Sequence, residues 1–275
     1  VMECREGLLC YDIQLINNRN MMNIKDCMNK ALQGDTHLYW MGQAGFVVKN
    51  KEGHTLGIDL YLSDCVEPVE GHDGYHRLMP SIVAPEQLQL DVIIATHFHR
   101  DHFDIDAIPQ LMANSKTMLF CAEDCVDDVK ALGIDEARVT YVKPGSHCEY
   151  CGFTMDFVCC DHGTGAPQAV GVIITTDDKR ILEVGDTCLH LDWKEEYLSQ
   201  GDLDVLIAPI NGAYGNLNEL ECASLAQELQ PKVTVPCHFG MFASHGGNAG
   251  MFIEQMRKQE SPYRLLTMGE GMLVK

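Results

Sequence analysis

The chain of 275 residues is 46% hydrophobic and 22% charged, enough apolar material for one large domain or two small ones and too much for a disordered polymer. Its 40 acidic against 20 basic residues leave a formal net charge of −20, which excludes the sequence-independent nucleic-acid binder, whose affinity comes from neutralising phosphates; a small anionic substrate stays compatible, because a bound metal reverses the local field. The 13 cysteines are odd in number and irregular in spacing, as expected of reduced thiols in a cytoplasmic protein, and no apolar run approaches the ~20 residues of a membrane span.

Residues 1–34 read as a helical extension closing at Gly34, and residues 35–275 as one domain. From Thr36 the pattern becomes strand-like. The runs "THLYWMGQAGFVVKN" and "HTLGIDLYL" flank "NKEG", two β runs around a glycine turn. Asp59 stands in the second run, an acid among apolar residues that needs a partner. Residues 62–90 mix Gly, Pro, His and acid in no period, with one short helix near "APEQLQL"; loops of that length are uncommon unless functional. "DVIIAT" fits a buried strand, and "DIDAIPQLMANS" a helix capped by Asp104. "TMLFCA", "AEDCVDDVKALG" and "RVTYVKPG" alternate strand, helix and strand, and "GFTMDFVCCD", "AVGVIITT" and "RILEVGD" add three strands. "CEYC", at Cys148–Cys151, has metal-ligand spacing, but its place before a strand reads as a hairpin turn. The chain continues with strand "DVLIAPI", amphipathic helix "NELECASLAQELQ", strand "KVTVPCHF", helix "NAGMFIEQMRKQ" and a last strand region in "YRLLTMGEGMLV". Without a linker or low-complexity segment, this order predicts a single α/β (α+β) domain of two sheets with helices outside.

Polar residues of one chemical kind follow the apolar strands. His97, His99, Asp101 and His102 come after "DVIIA", His162 after "GFTMDFVCC", Asp186 after "RILEV" and His238 after "KVTVPC". Strand ends on one rim are where a sheet fixes side chains rigidly. Five imidazoles and two carboxylates there suffice for two metal ions, imidazole suiting zinc and iron and carboxylate able to bridge. A solvated polar loop explains the first cluster alone but leaves His162, Asp186 and His238 as coincidences.

On these motifs the chain resembles the metallo-β-lactamase superfamily from Thr36 onward. "WMGQAGFVVKNKEGHTLGIDL" is similar to its opening hairpin, "THFHRDH" to its signature loop, and "CDHGTG", "EVGDT" and "PCHFG" to its later regions. With "VKPG" added, the pattern is similar to the L-ascorbate-6-phosphate lactonase-like group. The resemblance implies a four-layer αβ/βα sandwich with the metal site on one edge. It assigns His97, His99 and His162 to one ion, Asp101, His102 and His238 to the second, Asp186 to both, and Asp59 to orienting the signature loop by hydrogen bonds. It further implies a hydrolase using a metal-bound hydroxide, with Asp101 as proton acceptor, acting on a phosphorylated sugar lactone such as L-ascorbate 6-phosphate. Zinc or manganese is the expected pair of ions, with iron as the third choice. A small-substrate phosphodiesterase and an iron-dependent persulfide dioxygenase are the alternatives.

Substrate contacts are sought in the loops. Arg77, in "EGHDGYHRLMP", offers a fork for phosphate or carboxylate. Tyr214 and Asn216, in "NGAYGNLN", and His245, in "ASHGG", are candidate contacts, each with a plain loop reading beside it. The expected partner is a small, anionic molecule, with no nucleic acid or membrane; homo-oligomers are compatible with the sequence.

Overall fold

The period-2 runs become the strands of two sheets. In a computed structural model the protein is described over residues 34–275 together with Met28; apart from Met28 and Gly34, the expected helical extension over 1–34 lies outside the described residues. The first sheet contains β1 (His37–Gly42), β2 (Gly45–Lys49), β3 (Thr55–Ile58), β4 (Val92–Ala95), β5 (Met118–Ala122), β6 (Val139–Val142) and β13 (Gly271–Leu273), in the order β13-β1-β2-β3-β4-β5-β6. The second contains β7 (His147–Tyr150), β8 (Phe153–Cys159), β9 (Val170–Thr176), β10 (Lys179–Glu183), β11 (Val205–Pro209) and β12 (Val233–Cys237), in the order β12-β11-β10-β9-β8-β7.

Alternation along the second sheet produces the layers. On β11, Val205 and Ile207 join the core between the sheets, while Leu206 and Ala208 join a second core under the helices Glu219–Leu229 and Ala249–Lys258. Ile108, Leu111 and Val129, from helices Ile108–Leu111 and Val126–Ala131, join the larger core cluster, which takes in residues on both faces of the first sheet. Burying each Val, Leu or Ile contributes roughly 1.5–3 kcal/mol, and the two cores together hold the sandwich. This is the expected single-domain α/β sandwich of two mixed sheets with helices.

Several local expectations hold. "CEYC" spans the turn between β7 and β8. Asn218 caps its helix with a full capping box through Glu221, and Asn248 caps the next. Two differ. The helix expected from Asp104 begins only at Ile108, because the Asp104 carboxylate is taken by Leu62 N, Ser63 N and the Ser63 hydroxyl as well as by Ala107 N. The last strand region shortens to Gly271–Leu273, paired with β1, because Thr267 and Glu270 close a turn before it.

Registers align the strand ends. β3 and β4 are parallel with Ile58 beside Ile94, so Asp59 and Thr96 emerge together. In the second sheet β10, β11 and β12 are parallel, and Pro209 pairs with Cys237, bringing the segments after β10 and β12 to the same end. Loops from both sheets therefore open on one edge.

Candidate metal centre

Thr96 and Asp59 anchor the loop after β4. The Asp59 carboxylate accepts hydrogen bonds from Thr96 N at 2.8 Å, the Thr96 hydroxyl at 2.6 Å and His102 Nδ1 at 2.7 Å. Asp59 is fully buried, so these three donors are what make its charge tolerable. By taking the Nδ1 proton it also fixes the His102 tautomer, leaving Nε2 to face inward. The backbone is left-handed at Asp59 (φ 47) and at His238 (φ 58). Such positions in a buried, non-glycine histidine cost about 1–3 kcal/mol, and here the His238 amide is held by Gln43 O at 2.9 Å.

Seven side chains from four loops converge. His97 Nε2 lies 3.0 Å from His99 Nδ1, and His162 Nε2 lies 3.2 Å from the same atom. A neutral imidazole has one N–H and one lone pair, so three ring nitrogens this close crowd lone pairs that a cation would accept. On the other side, Asp101 Oδ2 lies 3.4 Å from His238 Nε2 and 3.8 Å from His102 Nε2. Asp186 Oδ2 stands between the groups, 3.2 Å from His238 Nε2, 3.3 Å from His102 Nε2 and 3.9 Å from His162 Nε2. His102 Nε2 is buried and, apart from these carboxylates at ion-pair distance, has no hydrogen-bond partner. The donor set fits two divalent ions: His97, His99 and His162 could hold one, Asp101, His102 and His238 the other, with Asp186 reaching both.

The electrostatics divide the same way. Burial holds His97 well below the imidazole range and His99 down to about 4, with His102 acting in the same sense; it lowers His162 too, against the pull of Asp186. Burial also opposes charge on His102 and His238, but the carboxylates outweigh it, Asp186 foremost, raising His102 well above its ordinary value and His238 to about 9. Burial would raise Asp101 and Asp186, yet the His102 and His238 charges hold both well below the carboxylate range. Two protons thus occupy the electrostatic role that a second cation would take. Glu183, ending β10, is buried beside this group; burial and then the Asp59 charge push it well above the carboxylate range.

Gln43, not singled out from the sequence, belongs to the centre. Its amide Nε2 donates to Asp101 Oδ2 at 2.8 Å and lies 3.2 Å from His238 Nε2. Its only sequence signal is its position in the "GQAG" turn.

A cavity of about 570 Å³ opens over the cluster. Its floor includes His99, Asp101, His162, Asp186 and His238, and its walls Val66, Val69, Tyr75, Phe98, Tyr214 and Phe242. His245 is placed here, its ring stacked on His238 at 4.9 Å, and burial lowers it to about 4. Tyr214 also lines the cavity, its hydroxyl bonded to that of Tyr75. Two expected substrate contacts lie away from the cavity wall. Arg77 is turned into its own loop, donating to the backbone carbonyls of Tyr61, Ser63 and Met79 and lying 4.5 Å over the Tyr61 ring. Asn216 is buried and forms no part of the cavity wall. The cationic side chain that does reach the cavity, Arg100, donates to Asp128 at 2.8 Å.

Comparison with known proteins agrees with this architecture. Residues 37–238 match the family described as beta-lactamase superfamily domain. A UPF0173 metal-dependent hydrolase of Enterococcus faecalis is 30% identical over 203 residues, covering 70% of this chain and 85% of its own. Another of that description, from Polynucleobacter asymbioticus, is 26% identical over 265 residues, 88% of this chain and 87% of its own. Among solved structures, a metallo hydrolase of the archaeon Ignicoccus hospitalis has the same fold, with a TM-score of 0.71 at 19% identity over 87% of this chain and 98% of that one.

Proposed function

The chain belongs to the beta-lactamase superfamily and, within it, to the UPF0173 metal-dependent hydrolases, and from that premise we propose that it hydrolyses a small ester or lactone over a two-ion centre. The observation that carries this reading is the meeting of two three-ligand groups on Asp186 Oδ2. Bound there, two divalent ions supply Lewis acidity and lower the pKa of water to near neutrality. An imidazole-rich set with two carboxylates suits zinc first and manganese second.

The chain's own residues do the rest. Asp101, on the cavity floor beside the ligand set, accepts the proton of the attacking water. Gln43 holds that carboxylate in place. His245, kept neutral by burial and stacked on His238, is placed to hydrogen-bond a substrate oxygen in the cavity. Val66, Val69, Phe98 and Phe242 exclude water and pack the part of the substrate that does not react.

Ring-opening of a phosphorylated sugar lactone such as L-ascorbate 6-phosphate matches the reaction type but not the wall. A cation is the strongest partner for a phosphate held away from the ions, and among the described residues Arg77 turns away from the cavity while Arg100 is paired with Asp128. We therefore favour an uncharged lactone or ester. The test is turnover of zinc- and manganese-loaded protein on matched lactones and esters, with and without a phosphate group. The uncharged members are expected to react faster, and His99→Ala is expected to abolish turnover with its circular dichroism unchanged. No hydrolysis of any member, or full activity in His99→Ala, defeats the two-ion reading; a preference for the phosphorylated members defeats only the choice of substrate.

A further inference from the structure

We propose that His54, Asp91 and Cys151 form a third cation site, remote from the centre above, for zinc or another thiophilic divalent ion. The three side chains come from separate turns, and one ligand atom of each lies within 4.8 Å of the other two. His54 Nδ1 is 3.2 Å from Asp91 Oδ2. All three are half-buried rather than waving in solvent. Thiolate, imidazole and carboxylate with a fourth position left for water is a zinc donor set.

The turns are locked in this arrangement before any ion arrives. Asn50, itself buried, accepts from His54 N at 2.9 Å and donates to Cys151 O at 3.1 Å, tying the two turns together. Asp91 Oδ2 accepts from Thr55 N at 2.9 Å. Such supporting bonds orient ligands and reduce the ordering cost of binding. Position adds a purpose. His54 immediately precedes β3, Asp91 precedes β4, and Cys151 lies in the turn before β8. The other ends of those strands carry Asp59, His97 and His162, so an ion here joins the first sheet to the second at the end opposite the catalytic edge. Cys148, the other thiol of "CEYC", pairs across the hairpin with Met155 and packs on the core, which is why the motif's spacing alone does not describe the site. Binding exchanges the Cys151 thiol proton, released to solvent, for the metal–sulfur bond, while His54 binds as the neutral ring.

The test uses whole protein exchanged into cobalt. The seven residues assigned to the catalytic centre include no cysteine, so a near-ultraviolet thiolate-to-cobalt charge-transfer band that Cys151→Ser removes reports another site. Wild type is expected to show the band and to hold one more ion per chain than Cys151→Ser and His54→Ala, both of which lose the band. Cys188→Ser is expected to keep it, a needed control because Cys188 Sγ lies 3.3 Å from Asp161 near His190. Zinc should displace the band one ion for one, and excess zinc should raise the thermal midpoint of wild type by a few degrees more than that of Cys151→Ser. A missing band, one that survives Cys151→Ser, or one abolished by Cys188→Ser overturns the proposal. Circular dichroism of His54→Ala, which leaves every thiol intact, guards against misfolding as the cause.

Discussion

Gln43 holds a left-handed backbone (φ 50) and is almost wholly buried, so its amide has one direction to point, at Asp101 and His238. Loss of such a supporting donor typically weakens metal affinity or activity about 10–100-fold. Gln43→Ala is expected to fall in that range and to lose one ion per chain at limiting zinc; unchanged metal content by elemental analysis would remove Gln43 from the centre. Asp59→Asn replaces an acceptor with a donor facing Thr96 and His102. It is expected to cost about 3 kcal/mol in urea unfolding and to weaken the second ion, because two buried donors then meet a third. Protons follow the same geometry. His99 and His245, lowered to about 4, resist protons that the unfolded chain accepts near 6.5, so their contribution to stability is lost as pH falls from 6.5 towards 4. His238, raised to about 9, holds a proton that the unfolded chain has released, so its contribution is full below 6.5 and lost as pH rises through 9. Metal-free protein should therefore melt highest near pH 6.5. Zinc should remove the alkaline decline, since the ion takes the place of the His238 proton, and a metal-free melting point that keeps rising to pH 9 would contradict the assignment. The seven His and Asp residues were legible because polar groups directly after apolar strands have few other reasons to be there. Gln43 was not, since a glutamine in a glycine turn has no chemical signature of its own. The placement of Arg77 was not legible because a sequence states a charge and not the direction of its side chain, which the carbonyls of Tyr61 and Ser63 decide.

At the scale of elements, strands act as rigid posts for the loops. β4 is buried along its whole length, and Ile94 sits opposite Ile58 and Phe120, one step from the Thr96–Asp59 anchor. Ile94→Ala is expected to destabilise by about 2–5 kcal/mol through the cavity it leaves, and to lower turnover more than an equal loss made away from this edge. Guanidinium unfolding and kinetics on the same samples separate the two effects. Asn218→Ala removes the side-chain half of the capping box, leaving the Asn218 N–H to Glu221 in place, and should cost about 1 kcal/mol in urea unfolding. Element types were readable because period-2 runs and Asn caps are local signals. Element ends were not, because Asp104 and Glu270 are claimed by partners that sequence distance conceals.

For the molecule as a whole, the decisive feature is that neither sheet holds a complete ligand set. His97, His99, Asp101 and His102 follow a strand of the first sheet; His162, Asp186 and His238 follow strands of the second. Ions held between them, as proposed, would act as cross-ties, and chelation is then expected to lower the thermal midpoint by several degrees, reversed by adding zinc. Among the described residues no helix is long and apolar enough to cross a membrane. The sandwich was legible as two sheets with helices outside, but the loop over 62–90 had no period from which its path could be read. The split ligand set also fixes when in its own synthesis this protein acquires activity. His238 follows the last parallel strand of the second sheet, so a ribosome must deliver β12 before the second ion has its third ligand. On the two-ion reading, the nascent polypeptide until then carries a half-made centre and is not expected to turn over substrate.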